Sequence, residues 1–282
     1  MILKNINIVL TGATSGIGIE TAKLLIPEGA NIIGIGSSAT SCIKASKQLR
    51  ALNGNITFLV CDLSDQDAVH NVSKKIKEQF HQIHCLINNA GVIYLKYQKD
   101  KIGVEKTFSV NYLGHYLLTR LLLPNIMTAP ESIIVNVSSV AYKRGFLDLK
   151  KLKSTNVTGM DAYARSKLAQ ILFTQTLSKK LNQSKVSVNC LHPGLIGTNL
   201  LGKNGLLGKL LPAFHKIVGR SAKHGAANVL HNIKLIGNSM TSGQYYSNSK
   251  HEKLLPHALD HKTANGLWDL SSKLCNLPTK ID

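Results

Sequence analysis

Nowhere in the 282 residues is there a run of about 18 apolar side chains, so no transmembrane helix is expected. The N-terminal MILKNINIVLTG runs straight into a strand-like pattern. It offers neither the apolar stretch nor the cleavage site of a signal peptide, and the expected location is cytoplasmic. Cysteine is scarce and odd in number: Cys42, Cys61, Cys85, Cys190 and Cys275 show no close paired spacing. Three of them, Cys61, Cys85 and Cys190, sit inside apolar runs, which suits small buried thiols better than disulfides or a metal site. None of the eleven histidines forms an HExxH or similar ligand spacing, so no metal is expected. Acidic side chains are also few, 15 against 34 lysines and arginines, for a net charge of +19. Such an excess suits nucleic acid, an anionic membrane surface or a phosphate-rich cofactor. The charge is dispersed, however, and densest only at Lys143 to Lys153 and Lys203 to Lys223. With aromatics at 5% and no zinc-finger spacing, nucleic acid is not an expected partner.

Short apolar runs alternate with helical patterns. Ile6 to Leu10 is the first run, and a glycine-rich turn leads from it into a helix through Leu25. Asn31 to Ile35 is followed by a polar helix to Leu52, and Ile56 to Val60 by a helix over about Asp65 to Phe80. Ile83 to Ile87 precedes a long helix expected from Glu105 to Leu123, ended by Pro124. Ser132 to Val137 precedes another from Asp161 to Leu181, then come strands at Val186 to Leu191 and Gly243 to Ser247. This alternation implies right-handed βαβ crossovers and an α/β fold, a doubly wound parallel sheet of about seven strands with helices on both faces. No repeat or Pro/Gly/Ser linker divides the chain, so 1–282 is expected to form one domain, less regular at about 195–220.

The segment Thr11-Gly12-Ala13-Thr14-Ser15-Gly16-Ile17-Gly18 lies between the first strand and the first helix, the context a dinucleotide fingerprint requires. Gly12 permits a tight turn, Gly16 lets the backbone approach a pyrophosphate, and Gly18 lets helix pack on strand. The helix N-terminus supplies free N–H groups for phosphate. A second motif is Tyr163-Ala164-Arg165-Ser166-Lys167. On a helix, positions i and i+4 share a face, so Tyr163 and Lys167 point into one site. An adjacent ammonium favours phenolate and is expected to lower the tyrosine pKa from about 10. Asn88-Asn89-Ala90-Gly91 follows the fourth strand and Ser138-Ser139 the fifth. In an open parallel sheet ligands bind beyond the carboxyl ends of the strands, so all four motifs converge on one edge.

Taken together, TGATSGIG (11–18), CDLSD (61–65), LINNAG (86–91), FSVNYLGHYLLT (108–119), IVNVSS (134–139), YARSK (163–167) and LHPGLIGT (191–198) resemble the short-chain dehydrogenase/reductase family over nearly the whole chain. NYLGHYLLT, YARSKLAQILFT and the tail KTANGLWDLSSKL (262–274) look most like its retinol-dehydrogenase-like branch. The resemblance implies a Rossmann fold and an NAD(P)-dependent oxidoreductase. Tyr163 would exchange a proton with the substrate oxygen, and Ser139, chosen over Ser138 from its place in the motif, would hydrogen-bond that oxygen. Lys167 would bind the nicotinamide ribose and lower the Tyr163 pKa. Asn111 would sit in a helix kink, where its backbone holds a water linking Lys167 to solvent. On the cofactor side stand Gly12, Thr14, Ser15, Gly16, Ile17 and Gly18. Asp62 and Leu63 would face adenine, and Asn89, Ala90 and Gly91 the adenosine ribose. Pro193, Gly194 and Thr198 would hold the nicotinamide end.

Many branch members carry an N-terminal hydrophobic anchor that this sequence does not show. Many also place an arginine for the NADP 2′-phosphate where Ser37 stands. With no Asp or Glu at Gly36 or Ser37 to meet a 2′-hydroxyl, NADP(H) is preferred over NAD(H). The expected substrate is a lipophilic carbonyl or alcohol such as a retinoid, steroid or aliphatic aldehyde, covered by a lid over about 195–220. In that lid Leu206, Leu207, Leu210, Leu211, Phe214, Ile217 and Val218 recur at near-helical spacing between Lys203, Lys209 and Lys216. This basic amphipathic piece is also suited to weak peripheral contact with an anionic intracellular membrane. Association of copies into a homo-oligomer is left open. The alternative functional reading is a catalytically silent nucleotide-binding regulator on the same fold. An extended-type epimerase is disfavoured because two residues separate its glycines, where three and one do here.

Overall fold

The computed structural model describes residues 3–153, 156–194, 221–237 and 241–281. Their elements run β1 (Asn7–Thr11), α1 (Gly16–Leu25), β2 (Asn31–Gly36), α2 (Ala39–Leu49), β3 (Ile56–Val60), α3 (Gln66–Gln79) and β4 (Cys85–Asn88). A long helix α4 follows in three parts: an α turn Lys106–Phe108, a π segment Ser109–Leu113 and an α segment Gly114–Met127. Then come β5 (Ser132–Val137), a 3₁₀ turn Val140–Arg144, α5 (Gly159–Lys180) and β6 (Val186–His192). The last elements are α6 (Ala222–Ile233), β7 (Tyr245–Ser247), β8 (Lys250–His251) and α7 (His261–Leu274).

All strands join one sheet in the order β3-β2-β1-β4-β5-β6-β7-β8. Seven pair in parallel, and the two-residue β8 turns back antiparallel on β7, which adds one strand to the expected seven. The central strands β1, β2, β4, β5 and β6 are rich in Val, Ile and Leu and buried on both faces, as parallel strands covered by helices must be, while the edge strands β3 and β8 are more exposed. Two apolar clusters lie on opposite faces of the sheet. One holds Leu113, Leu117, Ile171 and Trp268, the other Ile19, Leu25, Val229 and Ile233. Strand order reverses between β1 and β4, so the crevice for a ligand opens beyond Thr11 and Asn88.

Three differences from the sequence-based expectations have physical reasons. Helix α4 passes through Pro124 to Met127. Proline costs a helix about 3 kcal/mol, but Leu122, Leu123 and Ile126 are buried around it, and each such side chain contributes about 1.5–3 kcal/mol. The polar helix after β2 ends at Leu49 and tightens into a 3₁₀ turn at Arg50–Leu52, closed by Asn53 in the left-handed region (φ 47°). Helices α6 and α7 were not anticipated. The signal for α7 was present: Asp260 caps its N-terminus, and Ala264, Leu267, Trp268 and Ser271 fall on one buried face at helical spacing. The proposed lid at 195–220 and Thr198 lie outside the described residues.

Candidate active site

The carboxyl end of β1 turns sharply because Gly12 (φ 66°) and Gly16 (φ 53°) take left-handed backbone. Helix α1 then starts at Gly16, and the side chain of its cap Ser15 makes no capping bond, so N–H groups of the first turn face the crevice. A Cβ on Gly12 would come within 2.9 Å of the Ala90 Cα, and one on Gly18 would run into the Gly12 carbonyl. This backbone cradle borders a cleft of about 690 Å³ that also reaches Thr14, Ser15, Ile17, Ser37, Lys44, Asp62, Leu63, Asn89, Ala90 and Gly91. Its size lies within the range of small-molecule and cofactor sites. Gly18 is not on the cleft wall and acts by letting α1 approach β1. Gly18→Ala is therefore expected to lower stability by about 1–3 kcal/mol and weaken dinucleotide binding. Thermal unfolding with and without dinucleotide measures both, and an unchanged midpoint and affinity would contradict this packing role.

Two short loops close the cleft. Asp62 Oδ1 accepts from the Ser64 N–H (2.9 Å) and hydroxyl (2.8 Å), turning the chain after β3. The Leu63 carbonyl packs so close to Gly114 that any Cβ there would collide. After β4, Asn89 Nδ2 donates to the Thr11 carbonyl (2.8 Å), and the Asn89 and Ala90 N–H groups donate to Thr11 Oγ1 (both 2.9 Å). Thr11 thus ties the two sides of the crevice together. At the far end, Pro193 and Gly194 (φ 100°) follow β6, and the Pro193 carbonyl accepts from Asn228 Nδ2 at 3.2 Å.

The candidate catalytic groups lie on α5 and in the turn after β5, and α5 is tied to the cleft wall where Asn111 bonds both Ser166 (3.0 Å) and Val92 (2.8 Å). Tyr163 and Lys167 lie one turn apart on α5, with Lys167 Nζ 5.4 Å from the Tyr163 ring centre. Ser139 caps the 3₁₀ turn after β5 and hydrogen-bonds Tyr163. Ser138 turns away, donating to the Lys167 carbonyl at 2.9 Å. Asn111 lies inside the π segment of α4, where the helical ladder is loosened. Its side chain holds the loop after β4, accepting from the Val92 N–H (2.8 Å) and donating to the Val92 carbonyl (3.0 Å).

Electrostatics here departs from the sequence-based expectation. Burial dominates and pushes Tyr163 up to about 12, with the Ser139 hydrogen bond acting more weakly in the opposite direction. Burial also pulls Lys167 down to about 7. The ammonium is directed at the Val137 carbonyl (2.8 Å) and Gln170 Oε1 (2.9 Å), not at the phenol. Desolvation therefore outweighs the attraction between the two groups.

From sequence alone, His115, Gln170 and the side chain of Thr11 have no expected role at the site. His115 is buried, donates from Nδ1 to the Asn111 carbonyl (2.9 Å) and meets Thr11 Oγ1 through Nε2 (2.8 Å). Since a carbonyl only accepts, the proton is on Nδ1, and Nε2 accepts from the threonine. Burial holds His115 down at about 4, so the ring is neutral at physiological pH. Its i+4 spacing from Asn111 was the one available signal.

The family model described as short chain dehydrogenase matches residues 6–205. Human retinol dehydrogenase 12 is 36% identical over 273 residues, covering 96% of this chain and 86% of the relative. Human retinol dehydrogenase 13 is 35% identical, with 96% and 84% covered. Among solved structures, an uncharacterized protein from Mycobacterium Paratuberculosis superposes with a TM-score of 0.80 at 26% identity, over 99% of this chain and 96% of that one. A short chain dehydrogenase from Burkholderia cenocepacia J2315 in complex with NADP has a TM-score of 0.68 at 23% identity, over 88% and 97%.

Proposed function

The chain belongs to the short chain dehydrogenase family, in its retinol-dehydrogenase-like branch, and from that premise we propose that it passes a hydride between NADP(H) and a lipophilic carbonyl or alcohol, with Tyr163 as the proton-transfer residue. The family fixes the coarser statement: this is an oxidoreductase acting on CH–OH and C=O groups with a nicotinamide dinucleotide. The observation that carries the finer reading is Tyr163 itself. Its hydroxyl bonds Ser139 and its ring lies beside Lys167, on the helix that Asn111 ties, through Ser166, to Val92 of the glycine-lined cleft.

The uncapped start of α1 and the turn at Gly12 would hold the pyrophosphate, and Asp62 and Ala90 the adenosine half. When bound, the dinucleotide supplies or takes the hydride. In reduction the Tyr163 hydroxyl gives its proton to the substrate oxygen, which Ser139 holds in place. In oxidation Tyr163 takes the hydroxyl proton. Lys167 positions the nicotinamide ribose.

NADP(H) is favoured by the cleft wall beyond β2. Ser37, Ser38, Ser41 and Lys44 line it, offering hydroxyls and one cation but no carboxylate from that wall. The Burkholderia relative in complex with NADP is consistent with this choice. A lipophilic substrate is favoured by the names of the relatives and by exposed Leu95, Phe146 and Met160. Leu95 and Met160 adjoin, since the Gly159 N–H bonds the Tyr94 carbonyl (3.1 Å). Among the described residues no helix is long and apolar enough to cross a membrane.

The test follows reduced nicotinamide absorbance with NADPH and NADH against a panel of lipophilic aldehydes and ketones. Turnover of lipophilic carbonyls with NADPH is expected. Dinucleotide binding without turnover across the panel would favour the regulatory alternative.

A further inference from the structure

We propose that Gln170 is a positioning residue of the reaction, its side-chain amide bridging the Lys167 ammonium and the Asn111 carbonyl so that α4 holds and directs the lysine. The proposal rests on the roles of Tyr163 and Lys167 given above.

Gln170 lies three residues after Lys167 on α5, on the same helix face. Its Oε1 accepts from Lys167 Nζ at 2.9 Å, and its Nε2 donates to the Asn111 carbonyl at 2.9 Å. The orientation of the amide follows from chemistry, because an ammonium only donates and a carbonyl only accepts. The Asn111 oxygen also takes the Nδ1 proton of His115 at 2.9 Å, so two side-chain donors meet its two lone pairs. Gln170, Asn111 and His115 are each at most 1% exposed.

The bridge has a directional consequence. Of the three ammonium protons, one goes to the Val137 carbonyl and one to Gln170. The third remains for the Tyr163 and ribose side. Two neutral acceptors favour the charged lysine against the burial that opposes it. The other titratable groups around Lys167 do not offer a counter-charge. His115 on α4 is neutral, Cys190 on β6 is held as a thiol, and Tyr163 on α5 and Tyr245 on β7 are held as phenols. Gln170 is thus the side chain whose removal most directly disfavours the lysine charge. Less charge on Lys167 means less support for a Tyr163 phenolate.

The experiment compares the pH profile of alcohol oxidation in the full-length enzyme with Gln170→Leu, Gln170→Asn and Thr174→Val. Thr174 belongs to the same buried polar layer, accepting from Asn136 Nδ2 (2.9 Å) and donating to the Gln170 backbone carbonyl (2.8 Å), but does not touch Lys167. Gln170→Leu should lower kcat about tenfold and move the rising limb up by about half a pH unit or more, as loss of an acceptor on an ammonium implies. Gln170→Asn, one methylene short of spanning both partners, should move the limb the same way and serves if the leucine variant does not fold. Thr174→Val should lower the melting temperature and leave the limb in place. Gln170 variants that melt lower but keep the wild-type limb, as Thr174→Val does, would overturn the proposal. Turnover retained in Tyr163→Phe would instead overturn the reading beneath it.

Discussion

Replacing Tyr163 by phenylalanine should reduce turnover by about 10²–10⁴-fold while leaving the fold and dinucleotide binding in place. The ring is buried on α5, and phenylalanine keeps that packing while removing one hydroxyl. What is lost is the proton carrier next to Ser139. General acid–base help is worth that range, equivalent to about 3–5.5 kcal/mol of barrier at 1.36 kcal/mol per decade. The check is kcat with the best carbonyl of the panel, alongside dinucleotide affinity by fluorescence and the melting temperature. Near-normal kcat would remove Tyr163 from its role. The direction of the pH dependence follows from the same residue. With Tyr163 pushed up to about 12, its phenol keeps the proton at and well above neutral pH. Carbonyl reduction by the unaltered enzyme should then keep its proton donor over about pH 6 to 9 and weaken there only as Lys167, pulled down to about 7, loses its charge, while alcohol oxidation, which needs the deprotonated phenol, climbs with pH.

Ser37→Asp should invert cofactor preference. Ser37 follows β2 directly and lines the cleft with Ser38, Ser41 and Lys44. A carboxylate there would face the 2′-phosphate of NADP. Two unit charges 4 Å apart repel by about 4 kcal/mol at the effective dielectric of a protein surface, before screening by salt. After screening, a loss of about 10- to 100-fold in kcat/KM for NADPH is expected, with a gain for NADH as the carboxylate meets the 2′-hydroxyl. Lys44→Ala should weaken NADPH alone, because NADH has no phosphate for that ammonium to meet. Measured kcat/KM ratios for the two cofactors decide. Tighter NADH than NADPH binding to the unaltered protein would contradict the assignment.

Local sequence carried the parallel sheet and most of the crevice. Periodicity placed the strands through β6 to within a residue or two, because apolar runs of four to seven residues buried on both faces have few other uses. The glycines at 12, 16 and 18 were legible because only a residue without Cβ fits the turn and the contact with α1. The i, i+4 pair Tyr163 and Lys167 was visible for a similarly local reason, the pitch of a helix. Burial was not visible, and it reversed the expected direction of the Tyr163 shift. An ion near a phenol lowers its pKa when the pair is solvated, but here desolvation is larger. Pro124 was misjudged for a related reason, since the apolar contacts that hold its turn come from the folded core.

By itself the sequence determined the fold class and the family, and it proposed the residues for the chemistry. The fold class follows from apolar periodicity, the family from motifs spread along the chain. Tertiary structure alone decided how those residues are held. Thr11 and His115 meet across 104 positions of sequence, and Gln170 reaches Asn111 across 59. Nothing in local spacing pairs them. They meet because β1, β4 and β5 lie side by side in one sheet and helices α4 and α5 pack together on one of its faces, at a depth where each polar atom must find a partner within the protein.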